Sequence, residues 1–317
     1  MSHDRPALPD ASVLDSLTGA ALRLYRSRPA GRPRLVLLIL HGLAEHAGRY
    51  ARVMEELAAH GVASYAHDQR GHGSTTAQDA PLRRFASRHG ASKIVRDTQA
   101  VRLRAEADHP GIPIVVLGHS MGGLVALNFA RTFGSGLAGL LVWNSNFDTG
   151  PSVAAGRLAL RTERALKGSD VASAVFARAT FESWAKSVPG ARTPVDWLTH
   201  DATVVDRYIA DPLCGWTPTV SMAEDVIELI RAASRETNLA DLPRELPIHC
   251  LGGSEDPATR GGAAVERLAE RLRHAGSRRV ETLIVRGARH ETLNETEPMR
   301  GRAIAALHAF LASVSAD

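Results

Sequence analysis

"VVLGHSMGG", residues 115–123, decides how the chain is read. Gly118-His119-Ser120-Met121-Gly122 stands between a continuously apolar run, "IPIVVLG" (112–118), and an apolar helical pattern, "MGGLVALNFARTFG" (121–134). The G-x-S-x-G spacing between a buried strand and a helix predicts a sharp turn with Ser120 at its apex. Glycines on either side leave room for that turn, which lifts the Ser120 hydroxyl clear of the backbone. The Met121 amide then opens a helix, where unpaired N–H groups favour negative charge. Ser120 is the candidate nucleophile. The plainer alternative is a serine in a tight glycine turn.

Outward from this turn, short apolar runs alternate with helical patterns. The strand candidates are "LVLLIL" (35–40), "VASYAHD" (62–68), "IPIVVLG", "LAGLLVW" (137–143), "LPIHCLG" (246–252) and "VETLIVRG" (280–287). Their near-continuous apolarity is the mark of parallel strands buried on both faces. Helical patterns intervene at 49–61, 92–111 and 121–134, between the last two strands, and at the end of the chain. The alternation predicts an α/β fold with a mostly parallel, doubly wound sheet. Residues 12–28 are expected to add an antiparallel hairpin at the sheet edge, turning near Thr18-Gly19.

The alternation breaks between Phe147 and Val220, where no buried strand appears. The segment instead carries amphipathic pieces and seven aromatics: Phe147, Phe176, Phe181, Trp184, Trp197, Tyr208 and Trp216. It reads as a helical cap at 147–220 inserted into an α/β core at 1–146 and 221–317. Phe147, Trp184, Trp197 and Tyr208 are the candidates to line a pocket beneath the cap, against the simpler reading of a small aromatic core.

At 317 residues, with 44% hydrophobic and 23% charged content, the chain has material for a sizeable core. The net charge of +4 carries no nucleic-acid signature. Three of the 38 basic residues are lysines (Lys93, Lys167, Lys186) and the rest arginines, dispersed among acids rather than clustered on one face. Cys214 and Cys250 form no disulfide framework and have no metal-ligand spacing. The first 30 residues, with Asp4, Asp10 and Asp15, lack the apolar stretch of a secretory signal, and "LVLLIL" is too short to span a bilayer. The expected compartment is the cytoplasm, with no integral membrane association.

A serine hydroxyl needs a base. In a sheet of this kind the partners follow the serine in the order acid, then histidine, each just after a late strand. "IHCLGG" is followed by Ser254-Glu255-Asp256-Pro257, and "TLIVRG" by Ala288-Arg289-His290. Asp256 is favoured over Glu255, because Asp is the commoner member and the following Pro fixes the turn. Among 14 histidines, His290 alone combines this order and placement. His249 falls within a strand, His274 and His308 within helices, and His200 in the cap. A second amide is needed beside Met121 to hold an oxyanion, and the loop "LILHGLAEHAGRY" (38–50) offers Leu43. His41, Gly42, Glu45, His46, Arg49 and His119 could support that loop or touch substrate. The alternative for Glu45, His46 and Arg49 is a solvated helix start.

Together "HGLAEHAGRY", "DQRGHGST" (68–75) and "GHSMGG" resemble the α/β-hydrolase superfamily, in its monoacylglycerol lipase and lysophospholipase-like branch. "GARHETLNE" and "DPLCGWTPT" (211–219) add to the resemblance, which runs from about residue 15 to the end. It implies the α/β-hydrolase fold with a cap and a serine hydrolase acting on carboxylic esters. The triad would be Ser120, Asp256 and His290, with the Leu43 and Met121 amides as oxyanion hole. No cofactor and no metal are implied, since GxxxxGK[ST] and HExxH are missing from the sequence. The implied partner is a small-molecule acyl ester. The cap charges Arg157, Arg161, Glu163, Arg164 and Lys167 keep small soluble esters in play beside lipids, with only transient contact at a lipid surface. Thioester or amide hydrolysis, acyl transfer and perhydrolysis on the same triad are the enzymatic alternatives. A ligand-binding hydrolase fold without catalysis is the other.

Overall fold

The computed structural model describes residues 10–315. Residues 1–9, which include Asp4 of the leader reading, and residues 316–317 lie outside the described residues.

Among the described residues, nine strands form one sheet. They are β1 (Asp10–Asp15), β2 (Ala20–Ser27), β3 (Leu35–Leu40), β4 (Val62–His67), β5 (Thr76–Ala77), β6 (Ile114–His119), β7 (Leu137–Trp143), β8 (Ile248–Gly253) and β9 (Val280–Val285). The order is β1-β2-β4-β3-β6-β7-β8-β9, with β5 paired to β2. From β4 across to β9 every neighbouring pair is parallel. The expected edge hairpin is β1–β2, closed by a turn in which Gly19 takes φ 83°.

The six apolar residues of β3 divide by the two-residue period of a strand. Val36, Leu38 and Leu40 enter the core on one face, and Leu35, Leu37 and Ile39 the core on the other. β6 repeats the pattern, with Val116 on the first face and Val115 and Leu117 on the second. Two faces need two helical layers. One face carries α2 (Gly90–Asp108), α3 (Met121–Phe133), α8 (Val220–Ser234) and α10 (Ala263–His274); the other carries α1 (Ala51–Ala59) and α11 (Met299–Val314). Each fully buried Leu or Val contributes about 1.5–3 kcal/mol over its exposed state, so these rows supply much of the driving force.

Between β7 and α8 lie α4 (Pro151–Lys167), α5 (Ala174–Ala179), α6 (Phe181–Lys186) and α7 (Ala202–Ala210); the short α9 (Glu236–Leu239) follows α8. Trp197, Leu198, Tyr208 and Cys214 form a small core of their own in this interval. Phe147 does not belong with the pocket aromatics expected from the sequence. It is 0% exposed and packs in the main core, because β7 has only just ended and the chain has not yet left the sheet. No helix among the described residues is long and apolar enough to cross a membrane.

The strand order reverses between β3 and β6, whose neighbours run outward in opposite directions. Such a reversal opens a crevice at the carboxyl ends of the strands. The loops after β3, β6, β7, β8 and β9 converge there.

Candidate active site

Ser120 is the residue between β6 and α3, with φ 54° and ψ −119°. That is an uncommon conformation for a non-glycine residue and carries a cost the surroundings must meet. The flanking glycines are required by contact. A Cβ on Gly122 would lie 2.0 Å from the Leu40 carbonyl oxygen, and one on Gly118 2.2 Å from the Gly122 oxygen. Ser145 fixes the turn by donating its hydroxyl to the Ser120 carbonyl at 2.8 Å.

The Ser120 hydroxyl lies 2.9 Å from His290 Nε2. His290 Nδ1 donates to the Asp256 carboxylate, at 2.9 Å from Oδ1 and 3.0 Å from Oδ2. With its proton committed there, Nε2 accepts from Ser120. Burial pushes the Asp256 carboxyl up, but His290 and hydrogen bonds from Thr259 and Asn144 outweigh it and hold the acid below its usual range. Glu255 is not part of this chain of bonds; its side chain is 55% exposed and its carboxylate sits 3.4 Å from His200.

The loop after β3 comes up beside the serine, where a Cβ on Gly42 would lie 3.3 Å from Ser120 Cβ. Leu43 and Met121 both line the cavity above Ser120. Neither amide has a backbone or side-chain acceptor among the described residues.

Glu45 and Arg49 are not a solvated helix start. Their side chains are 4% and 11% exposed, and Arg49 Nη1 donates to Glu45 Oε2 at 2.5 Å. The same guanidinium grips Glu291 with two bonds, at 2.5 and 2.6 Å. Glu45 also accepts from the Gly42 amide at 2.5 Å and the Tyr50 hydroxyl at 3.1 Å. Burial alone would push Glu45 up; Arg49, then His119, hold it well below the usual carboxylate range. His119 bridges Glu45 Oε1 at 3.4 Å and the His290 carbonyl at 3.1 Å. Burial opposes its charge, but Glu45 prevails and raises it. One buried network thus joins the loop after β3, the residue before Ser120 and the residue after His290.

Three of the sequence candidates for substrate contact face elsewhere. His41 is 0% exposed, accepts from the Gln69 amide at 2.9 Å and donates to the Gly42 carbonyl at 2.7 Å. Burial pushes it down to about 4, so it is neutral. His46 turns toward Asp211, with Nε2 3.0 Å from the carboxylate. Arg49 is spent on its two acids and on the face of Tyr208, 4.9 Å from the ring centre. Gly42, Glu45 and His119 do line the cavity. Glu291, Asn144 and Thr259 are site residues that sequence reading missed. Only the position of Glu291 beside His290 offered a signal.

The cavity measures about 520 Å³ and is walled by Leu124, Leu160, Val175, Phe176 and Ile230, among others, with Trp184, Trp197 and Tyr208 from the segment between β7 and α8. Trp197 stands 5.1 Å from the His290 ring, centre to centre. Among the described residues one group could hold a metal: His46, Asp211 and Cys214, with ligand atoms within 4.8 Å of one another. His46 Nδ1 already accepts from the Gly48 amide at 3.2 Å, which leaves the proton on Nε2 facing Asp211. Burial keeps the Cys214 thiol protonated. The trio reads as a hydrogen-bonded pair beside a neutral thiol.

Known proteins resemble this chain over most of its length. The family described as serine aminopeptidase, S33 (Hydrolase_4), matches residues 31–297. The chain is 29% identical to the monoacylglycerol lipase of Mycolicibacterium smegmatis over 274 residues, 85% of either chain. It is 29% identical to human monoglyceride lipase over 231 residues, 72% of this chain and 67% of that one. A thermostable carboxyl esterase from Bacillus coagulans superposes with a TM-score of 0.86 at 22% identity, covering 96% of this chain and 98% of the other. The chain belongs to the serine aminopeptidase S33 family, and is an α/β-hydrolase of the monoacylglycerol lipase-like, carboxylic ester hydrolase kind.

Proposed function

We propose that the chain hydrolyses acyl esters, such as monoacylglycerols, lysophospholipids or small soluble esters, through an acyl-enzyme on Ser120. The observation that carries this is the unbroken run of hydrogen bonds from Ser120 through His290 to Asp256 at the floor of an apolar cavity. His290 takes the hydroxyl proton as Ser120 Oγ attacks the ester carbonyl. Asp256, charged and held by four donors, stabilises the imidazolium and fixes the tautomer. The Leu43 and Met121 amides receive the oxyanion, each worth on the order of 3 kcal/mol in the transition state. His290 passes its proton to the leaving alcohol, then draws one from the water that releases the acid. The helices at 147–220 act as a cap whose aromatics exclude water from the ester.

An aminopeptidase would need a free carboxylate for the substrate ammonium. Among the described residues that line the cavity, Glu45 and Glu291 are taken by Arg49, and Asp148 by Arg267. That favours esters over N-terminal amides. The test is a panel of p-nitrophenyl and monoacylglycerol esters of rising chain length. Turnover that vanishes in His290→Ala and survives in His274→Ala supports the reading. Zero turnover of esters by folded protein, with turnover of amides or thioesters, refutes it.

A further inference from the structure

Arg260 is the one Lys or Arg among the described residues lining the cavity above Ser120. Its side chain is 62% exposed and has one acid nearby, with Nη1 3.7 Å from Asp148 Oδ2. That is beyond hydrogen-bond distance. Asp148 is already engaged by Arg267, whose Nε donates to Oδ1 at 2.9 Å and whose Nη2 donates to Oδ2. Two arginines therefore share one carboxylate, and the cavity rim keeps a positive charge without a full partner.

The backbone fixes where this side chain leaves the turn. Arg260 sits on the turn that begins at Asp256: its amide donates to the Pro257 carbonyl at 3.3 Å, and the Gly261 amide to the Asp256 carbonyl at 2.8 Å. Asn146 joins this turn to the Asp148 loop, donating to the Ala258 carbonyl at 2.9 Å and accepting from the Asp148 amide at 2.9 Å. Residues 260, 261 and 262 are all left-handed, with φ of 56°, 65° and 89°. The other two are glycines. A long cationic side chain occupies the remaining position, where its conformation is disfavoured.

We propose that Arg260 forms an anion subsite at the rim of the cavity, selecting acyl esters that carry a phosphate or carboxylate remote from the scissile bond. This rests on the ester-hydrolase reading above. A guanidinium suits either anion by paired N–H donation. The anion could sit on the alcohol, as in an acylglycerol phosphate, or on the acyl chain, as in a monoester of a long dicarboxylic acid.

The test compares kcat/KM for monolauroylglycerol, lauroylglycerol phosphate and the glycerol monoester of dodecanedioic acid, each as monomers in solution. The readout is the anionic-to-neutral ratio within wild type, Arg260→Gln and Arg260→Glu. Wild type should favour one anionic ester by about fivefold, the size of a partly exposed charge pair. Which ester is favoured identifies the arm. The ratio should fall to about one in Arg260→Gln and below one in Arg260→Glu. A wild-type ratio of one for both anionic esters overturns the proposal, as does a ratio that Arg260→Gln leaves unchanged. Failure to turn over the neutral ester is a failure of the hydrolase reading alone. The subsite is then read from quenching of Trp184 and Trp197 fluorescence by dodecyl phosphate against dodecanol. Equal affinity of wild type and Arg260→Gln for the phosphate overturns it.

Discussion

Replacing Arg49 with Met is the most informative single change in the buried network. Met fills most of the volume and leaves Glu45 and Glu291, each 4% exposed at the side chain, without their shared cation. Removing one partner of a buried ion pair costs about 3–5 kcal/mol, because the other charge stays buried and uncompensated. At roughly 2 °C per kcal/mol for a chain of this length, Tm should fall by about 6–10 °C. The loss should depend on pH. In wild type Arg49 and His119 hold Glu45 low, so its contribution to stability is present above the unfolded carboxylate range and fades as pH falls. Without Arg49, burial dominates and raises the acid. The variant then gains stability on acidification, and the gap between the two proteins should narrow from pH 8 to pH 5. Urea unfolding at both values measures it. A variant within 1 kcal/mol of wild type at pH 8, or a gap constant with pH, refutes the unpaired-carboxylate reasoning.

Other perturbations probe separate parts of the account. Burial and the nearby Glu228 and Glu224 push Asp225 up to about 7, so its ionisation costs stability as pH rises through that value. Asp225→Asn should stabilise by about 1–2 kcal/mol at pH 8, after discounting for solvent, and by nothing near pH 4; equal stability at pH 8 in urea unfolding contradicts this. Gly122→Ala drives a methyl into the Leu40 backbone and should cost about 3 kcal/mol or more by thermal unfolding, whereas Gly156→Ala, with nothing within 4 Å of the new methyl, should be neutral or slightly stabilising. Asp256→Asn should lower kcat on the order of 10³–10⁴-fold, while Glu255→Gln should stay within about twofold in the same ester assay.

The fold was legible in the sequence because its strongest signals are local. β3 and β6 are buried on both faces, so their apolar runs stand out without knowledge of any neighbour. Ser120 was legible for the same reason: the two glycines that must approach backbone lie within two residues of it. Asp256 and His290 followed from order and placement after strands. What stayed hidden depends on contacts across the chain. Arg49 and Glu291 are 242 residues apart, and nothing in either neighbourhood announces the other. Asn144 reaches Asp256 from 112 residues away. The composition of its segment makes Phe147 a pocket candidate, but an aromatic four residues past the end of a strand is still under the control of the sheet core.

The most direct test is covalent. A fluorophosphonate probe forms a bond with a serine only where a base activates the hydroxyl and donors hold the developing charge. Mass spectrometry of the labelled, digested protein should place one adduct on the peptide containing Ser120. Ser120→Ala should take no label, and His290→Ala should label at least about 10³-fold more slowly. An adduct on another serine, or full labelling of folded Ser120→Ala, would contradict the assignment of this site.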